Sequence, residues 1–382
     1  MIAPSAPRTL AILCLTFWSP LTRADDPAAF RTDGGDDSLP WFELVDGQFP
    51  PEGSAHSITG ELIGMDHLER TFLLRVDRND SQRRSHFDLP IAVTLLPYGS
   101  LTYHGAPASI RDIPVGTHLH GRFYVKAAGD ESEPPAIFHN RVSTEADFNR
   151  CVRLEDDFSH RSRLDQLWEI KSVDPKERKL TAILTGDAAG DSSEQIFDLL
   201  ESTTVWKGDG FGEQEDLKPG QKVLFNLTWA TLYGPGRITD VWVDEASRQQ
   251  ARERQRRKHH VHTRQRGLPG RVDAVDNQKR IVAITLFDNV DPQLIDELHR
   301  DDTVGVAVAR ESLMTYDPVN DRKRGKVLDI CKVPQVPGSS GVQIRVQPDL
   351  LLEGYRPGRV VRVYPSAWPV TALPREEEFF GR

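Results

Sequence analysis

The sequence predicts a mainly β protein: three tandem small OB-like β-barrels joined by short helical connectors. Three observations carry that reading. One phrase of two alternating apolar runs around an apolar–Asp pair and a charged turn occurs three times. Each copy is followed by Ser and Thr ahead of an aromatic residue. Each then reaches a glycine-containing turn and one more alternating strand. Self-similarity at domain spacing marks repeated units, and period-two alternation around a polar turn marks a hairpin.

The elements follow in chain order. Residues 1–24 pair a basic residue, Arg8, with the apolar stretch "TLAILCLTFW" and end on Thr22 and Ala24, the pattern of a cleaved secretory signal. The apolar stretch is too short to span a bilayer. Cys14 follows Leu13 rather than a small residue, so a free chain is expected, not a lipid-anchored one. Secretion or a periplasmic location follows, with no transmembrane segment. Residues 25–57 form an N-terminal extension.

The first barrel is expected over 58–126, opening with "GELIGMDHLERTFLLRV" from Gly60. The second is expected over 168–243, opening with "WEIKSVDPKERKLTAIL" from Trp168. The third, over 268–366, opens with "GRVDAVDNQKRIVAIT" from Gly270. Strands are therefore expected within 58–77, 168–186 and 269–287. Leu62, Ile170 and Val272 correspond, as do Met65, Val173 and Val275, each followed by Asp66, Asp174 or Asp276. Phe72, Leu180 and Ile281 restart the alternation. Thr102, Thr204 and Thr315 precede the aromatics. Gly116, Gly220 and Gly358 suit a turn with positive φ, and Leu119, Val223 and Val361 face inward on the strand that follows.

The copies differ in length. Asp66 to Gly116 spans 50 positions and Asp174 to Gly220 spans 46, but Asp276 to Gly358 spans 82. The third unit is thus expected to carry a loop-enlarging insertion, with a short helix capped by Asp291 and begun by Pro292. Between the barrels, 127–167 reads as a connector with a short helix. It docks Leu154 and Phe158 on a barrel. Residues 244–267 read as a solvated basic helix ended by Gly267, in which Arg256, Arg257 and Lys258 offer a clamp for an acidic partner. A tail covers 367–382.

The motif of Gly270, Val272, Val275 and Asp276, with the "DL-x-x-G-x-x-V" of Asp216, Leu217, Gly220 and Val223, resembles a family of small periplasmic barrel domains with an oligonucleotide/oligosaccharide-binding-like fold. With "LEDDFS" between barrels, the chain also resembles uncharacterised secreted proteins of planctomycete bacteria. The resemblance implies a fold and an envelope location. It implies no catalytic residue.

The chain holds 48 basic and 57 acidic side chains, a net charge of −9. Removing residues 1–24 takes two arginines and no acid and leaves −11. That balance argues against a dedicated nucleic-acid binder. No phosphate loop, His-Glu-x-x-His, Cys-x-x-Cys or nucleophile elbow is present, and no motif implies a cofactor. Cys151 and Cys331 are expected as free thiols, since they belong to different units. The acids Asp288, Asp291, Asp301 and Asp302 are too irregularly spaced for a calcium loop.

Histidine is unevenly distributed, with seven of 12 between His56 and His139. His118 and His120 share one strand face, expected to meet solvent because Leu119 faces inward. With His104 they form a candidate surface metal site. In the third-unit insertion, Tyr316 beside Arg322, Lys323 and Arg324 forms a candidate ligand-binding loop. Two function classes follow. One is an exported, non-enzymatic interaction or scaffold protein of the cell envelope, binding a protein or an anionic polysaccharide through barrel loops. The other is a metal-binding or hydrolytic envelope protein, with its site in the first-barrel histidines or the third-barrel insertion.

Overall fold

The repeated phrase is built from a turn that the same side chain anchors three times. In a computed structural model describing residues 30–77, 90–126, 147–186, 193–228, 236–317, 320–369 and 371–377, Oδ1 of Asp66, Asp174 and Asp276 accepts the backbone N–H groups two and three residues ahead. Each turn then closes on an arginine in the left-handed region: Arg70 at φ +55°, Arg178 at +51° and Arg280 at +55°. That conformation is unfavourable for a residue with a Cβ, and the Asp hydrogen bonds offset it. The predicted signal over residues 1–24 lies outside the described residues.

A second contact is also threefold. Gly116, Gly220 and Gly358 take φ of +97°, +84° and +87°. Their N–H groups donate to the carbonyls of Leu62, Ile170 and Val272 at 2.7–2.8 Å. Those three residues donate back to Thr117, Gln221 and Arg359. Immediately beyond, the first strand of each unit slips by one residue against the second, at Leu62/Gly64, Ile170/Ser172 and Val272/Ala274. A bulge bends a strand and raises its twist, and these bends let each sheet curl shut.

The first barrel comprises β1 (His56–Asp66), β2 (Thr71–Val76), β3 (Ile91–Tyr103), β4 (Ala106–Pro107), β5 (His118–Tyr124) and β6 (Arg150–Asp156). Its ring runs β1-β2-β3-β6-β5 and back to β1, with β3 and β6 parallel and β4 a short hairpin on the edge. Helix α1 (Asp157–Arg163) leads to the second barrel. That barrel repeats the order with β7 (Leu167–Asp174), β8 (Lys179–Thr185), β9 (Gln195–Lys207), β10 (Gly210–Gly212), β11 (Lys222–Thr228) and β12 (Arg237–Trp242). A closed five-stranded Greek-key ring with one parallel pair is the OB arrangement. Both rings close around their own apolar clusters, with Leu62, Leu119, Ile170 and Val223 wholly buried.

Helix α2 (Glu245–Arg266) leads to the third barrel: β13 (Leu268–Asp276), β14 (Ile281–Phe287), helix α3 (Pro292–Asp296), β15 (Thr303–Val308), β16 (Arg322–Lys332), β17 (Ser339–Pro348) and β18 (Val360–Pro365). Its ring runs β13-β14-β17-β16-β15-β18 and is antiparallel throughout. Asp291 caps α3 and Pro292 begins it, as expected.

Expectations about strands and their register need correction. Residues 150–156 are not part of a connector; they are the closing strand of the first barrel, as β12 is of the second. The extra length between Asp276 and Gly358 is not a loop insertion. Among the described residues no strand follows β18, and β15 and β16 take the closing position from inside the unit. Thr315 does not match Thr102 and Thr204, which lie on long strands; it makes only an isolated bridge to Ala309. The residue equivalent to Phe72 and Leu180 is Val282, opposite Val275, while Ile281 is half-buried.

Polar seams join the barrels. Helix α2 is solvated on one side only: a stripe of Ser247, Ala251, Gln255, His259, Thr263 and Arg266 is buried. Gln255 Nε2 donates to Pro107 O and Asp112 Oδ2 of the first barrel. Arg248 Nη1 donates to Lys222 O of the second. His259 Nε2 accepts Asp291 N of the third. The N-terminal extension adds Phe49, which meets Tyr98 and Phe287 edge-on between the first and third barrels, under the Arg271 guanidinium at 3.9 Å. Neither Cys151 nor Cys331 is in a disulfide. No described helix is long and apolar enough to cross a membrane.

Deleting residues 317–326 removes the head of β16 and should abolish cooperative melting of the third barrel. Retention of the wild-type calorimetric profile would show that the ring closes without it. A second expectation concerns Asp288, whose Oδ1 is buried without a hydrogen bond and whose carboxyl burial pushes up to about 6. Because the folded value lies above the unfolded one, ionisation costs stability above about pH 6, and the cost vanishes as pH falls below about 4. Asp288→Asn should therefore raise the melting temperature at pH 7.5 and lose that advantage at pH 4. An equal gain at both pH values would contradict the assignment.

Candidate functional site

The Asp156–Asp157 pair, where β6 ends and α1 begins, organises the seam between the first and second barrels. Asp156 is the N-cap of α1, accepting Ser159 N at 3.0 Å. Its carboxylate also takes His104 N at 3.2 Å from the first barrel and Asn226 Nδ2 at 2.9 Å from the second. Asn226 returns its Oδ1 to Phe158 N. Asp157 Oδ2 accepts Leu227 N at 3.0 Å, while its Oδ1 faces His118 Nδ1 at 2.8 Å and His120 Nε2 at 2.9 Å. His118 Nε2 meets Asp77 Oδ2 at 2.8 Å, and Thr59 Oγ1 donates to that same oxygen.

Both ring nitrogens of His118 face carboxylates, so the ring carries both protons. Burial opposes that charge, but Asp157 and Asp77 prevail and push the imidazolium up to about 10. Burial also works against the Asp157 carboxylate, yet His118 and His120 hold it well below the usual range. Burial lowers His120 to about 4, and its neutral ring stacks on His160 at 3.8 Å.

The expectation that His118 and His120 face solvent is therefore overturned. Leu119 does point into the barrel, but the opposite face is covered by α1 and the second barrel, leaving His118 4% exposed. The expected set of three histidines is not assembled either. His118, His120 and Asp157 bring their ligand atoms within 4.8 Å of one another; His104 is not in that group. A cation there would have to displace the protons that now bond His118 and His120 to Asp157. Asp77 and Asp157 were not anticipated, although "LEDDFS" carries two adjacent acids directly ahead of a helix.

His104 lies instead at the β3–β4 turn, at φ +51°, stacked on Tyr103 at 3.8 Å and edge-on to Trp242 at 4.8 Å. It lines a crevice of about 290 Å³ between the first barrel, the second barrel and α2. Tyr103, Trp206, Trp242 and Asp240 are among the residues that line it, with Arg254 and Lys258 contributed by α2. Burial, then Lys258 and Arg254, lower His104 to about 3, so it is neutral, and its buried Nε2 has no hydrogen-bond partner among the described residues. Trp206 Nε1 donates to Asp240 Oδ1 at 2.9 Å, and burial raises that carboxyl. Phe211, 76% exposed between two glycines of β10, tilts against Trp206 at 4.6 Å.

The expected basic clamp is divided. Arg256 turns to Asp291 at 2.9 Å and Glu253 at 3.4 Å, Arg257 is exposed, and Lys258 lines the crevice. The Tyr316 cluster is not a single loop. Tyr316 packs on the third-barrel core and receives Arg359 Nη2 at 3.2 Å. Arg322, Lys323 and Arg324 lie on β16 paired with β15, and Arg322 covers Tyr364. Comparison with known protein families, curated proteins and solved structures finds no match.

Asp157→Asn leaves a buried imidazolium short of one counter-charge. It should cost about 3–5 kcal/mol in urea unfolding. A loss under about 1 kcal/mol, the range of exposed pairs, would show that the seam does not depend on this charge.

Proposed function

We propose that this is an exported, non-enzymatic interaction protein of the cell envelope that holds an acidic polysaccharide by one sugar unit in the crevice between the first two barrels. The observation that carries the reading is the crevice itself: aromatic walls around an unpartnered His104 Nε2. Ring faces cover the C–H faces of a sugar, and a few convergent polar groups fix its hydroxyls. At about 290 Å³ the space lies at the small end of ligand pockets, suited to one ring and not a cofactor. Arg254 and Lys258 supply positive charge at the mouth of an otherwise acidic chain. Phe211 extends the aromatic surface outward for the next unit. Domain junctions are favoured places for such sites. Export and the envelope location rest on the N-terminal signal pattern.

Titration calorimetry with uronic-acid oligosaccharides and their neutral counterparts tests this. The acidic oligomers should bind, and Trp206→Ala and Phe211→Ala should each weaken binding by about tenfold, the loss of one stacked ring. Equal binding by both variants and wild type, or no binding of any acidic oligomer, would overturn the reading.

A further inference from the structure

A second cavity lies away from that crevice, where the first barrel, the end of α2, the third barrel and the C-terminal tail meet. Its volume is about 60 Å³. At roughly 10–15 Å³ per water it accommodates about four to six waters, or one small ion. Its wall contains two arginines from different barrels, the half-buried Arg70 and the buried Arg362. Neither has a carboxylate partner among the described residues. Arg70 Nη2 donates only to the carbonyls of Leu96 and Gly99, and Arg362 to those of Leu313 and Gly267. Burial, together with their mutual repulsion, lowers Arg70 to about 9.

The one acid on the wall among the described residues is already committed. Glu377 receives both Arg266, at 2.5 Å, and Arg111, at 2.8 Å. The cavity therefore holds an excess of buried positive charge. Five buried polar atoms on the same wall have no partner among the described residues: Arg70 Nε, His67 Nε2, His262 Nδ1, Ser109 Oγ and Ser312 Oγ. All are able to donate a hydrogen bond. Buried charges and buried donors are expensive to leave uncompensated, and this surplus has one sign.

From the cavity, its unpaired guanidinium groups and its convergent donors, we propose that it binds a small tetrahedral oxyanion, phosphate or sulfate, which joins the first and third barrels. Guanidinium and hydroxyl donors at several angles suit a multi-oxygen anion and not a single chloride. The site uses Arg70, whose counterparts Arg178 and Arg280 bond to Glu201 Oε1 and Asp349 O on their own barrels. Only the first copy of the repeated turn is thus directed into a seam.

The test uses the full chain, dialysed free of phosphate and sulfate. Melting is followed with added inorganic phosphate, sulfate or chloride at matched ionic strength. Phosphate or sulfate should raise the melting temperature, saturably, and chloride should not. Arg362→Met should weaken the anion's apparent affinity tenfold or more, the loss of a charged hydrogen bond, and the milder Ser312→Ala by about threefold to tenfold. Trp206→Ala, at the crevice, should leave anion binding unchanged, which separates this site from the function proposed above. Ion chromatography of denatured, undialysed protein identifies which oxyanion is carried. An equal effect of chloride, no saturable stabilisation by either oxyanion, or unaltered affinity in both site variants would each overturn the proposal.

Discussion

Two adjacent buried carboxylates, Asp156 and Asp157, hold the first half of the molecule together. They end the strand that closes one barrel, cap the helix that leaves it, and accept hydrogen bonds from both barrels at once. Each alone would be costly to bury. Together they are compensated by Asn226, Leu227 N, His118, His120 and the helix N-terminus. The aromatic crevice exists because this seam fixes the hairpins of the first two barrels on the same side of α2.

The same logic of polar attachment governs α2. Its buried stripe carries almost no aliphatic surface, so it cannot hold the barrels by apolar burial. It holds them by directed polar bonds, made to each of the three barrels. Such contacts contribute modestly when made and cost more when one partner is lost. Relative orientation is thereby specified more sharply than a greasy interface would specify it. That rigidity keeps Arg254 and Lys258 at the crevice mouth while Arg256 is drawn off to Asp291.

What was legible in the sequence is what local chemistry determines. The Asp-anchored turns and the positive-φ glycines depend on residues a few positions apart, so three copies could be aligned by eye. The barrels followed from them. The seams were not legible, because a polar residue facing a neighbouring domain has the same pattern as one facing water. His118 and His120 were placed on the correct face of the correct strand, and only the second barrel's position made that face an interior one. The closing strand β6 is hidden for a related reason: it pairs in parallel with β3, from Thr94 opposite Arg150 to Thr102 opposite Glu155, and parallel pairing leaves no hairpin signature. His104 was singled out as a metal ligand; its actual setting depends on Trp242, contributed from a strand distant in sequence.

The closing strands have a consequence for how the chain is made. A ribosome releases the protein from its N-terminus, and the first ring lacks a wall until Asp156 has emerged. The next residue to appear is Asp157, whose partners His118 and His120 already stand on that ring. Completing the first barrel and presenting the attachment point for the second are thus a single event in time. The third barrel obeys a different schedule. Its closing strands precede its last one, so the unit finishes with β18 and leaves the tail free to bring Glu377 back as a late latch on a body already assembled.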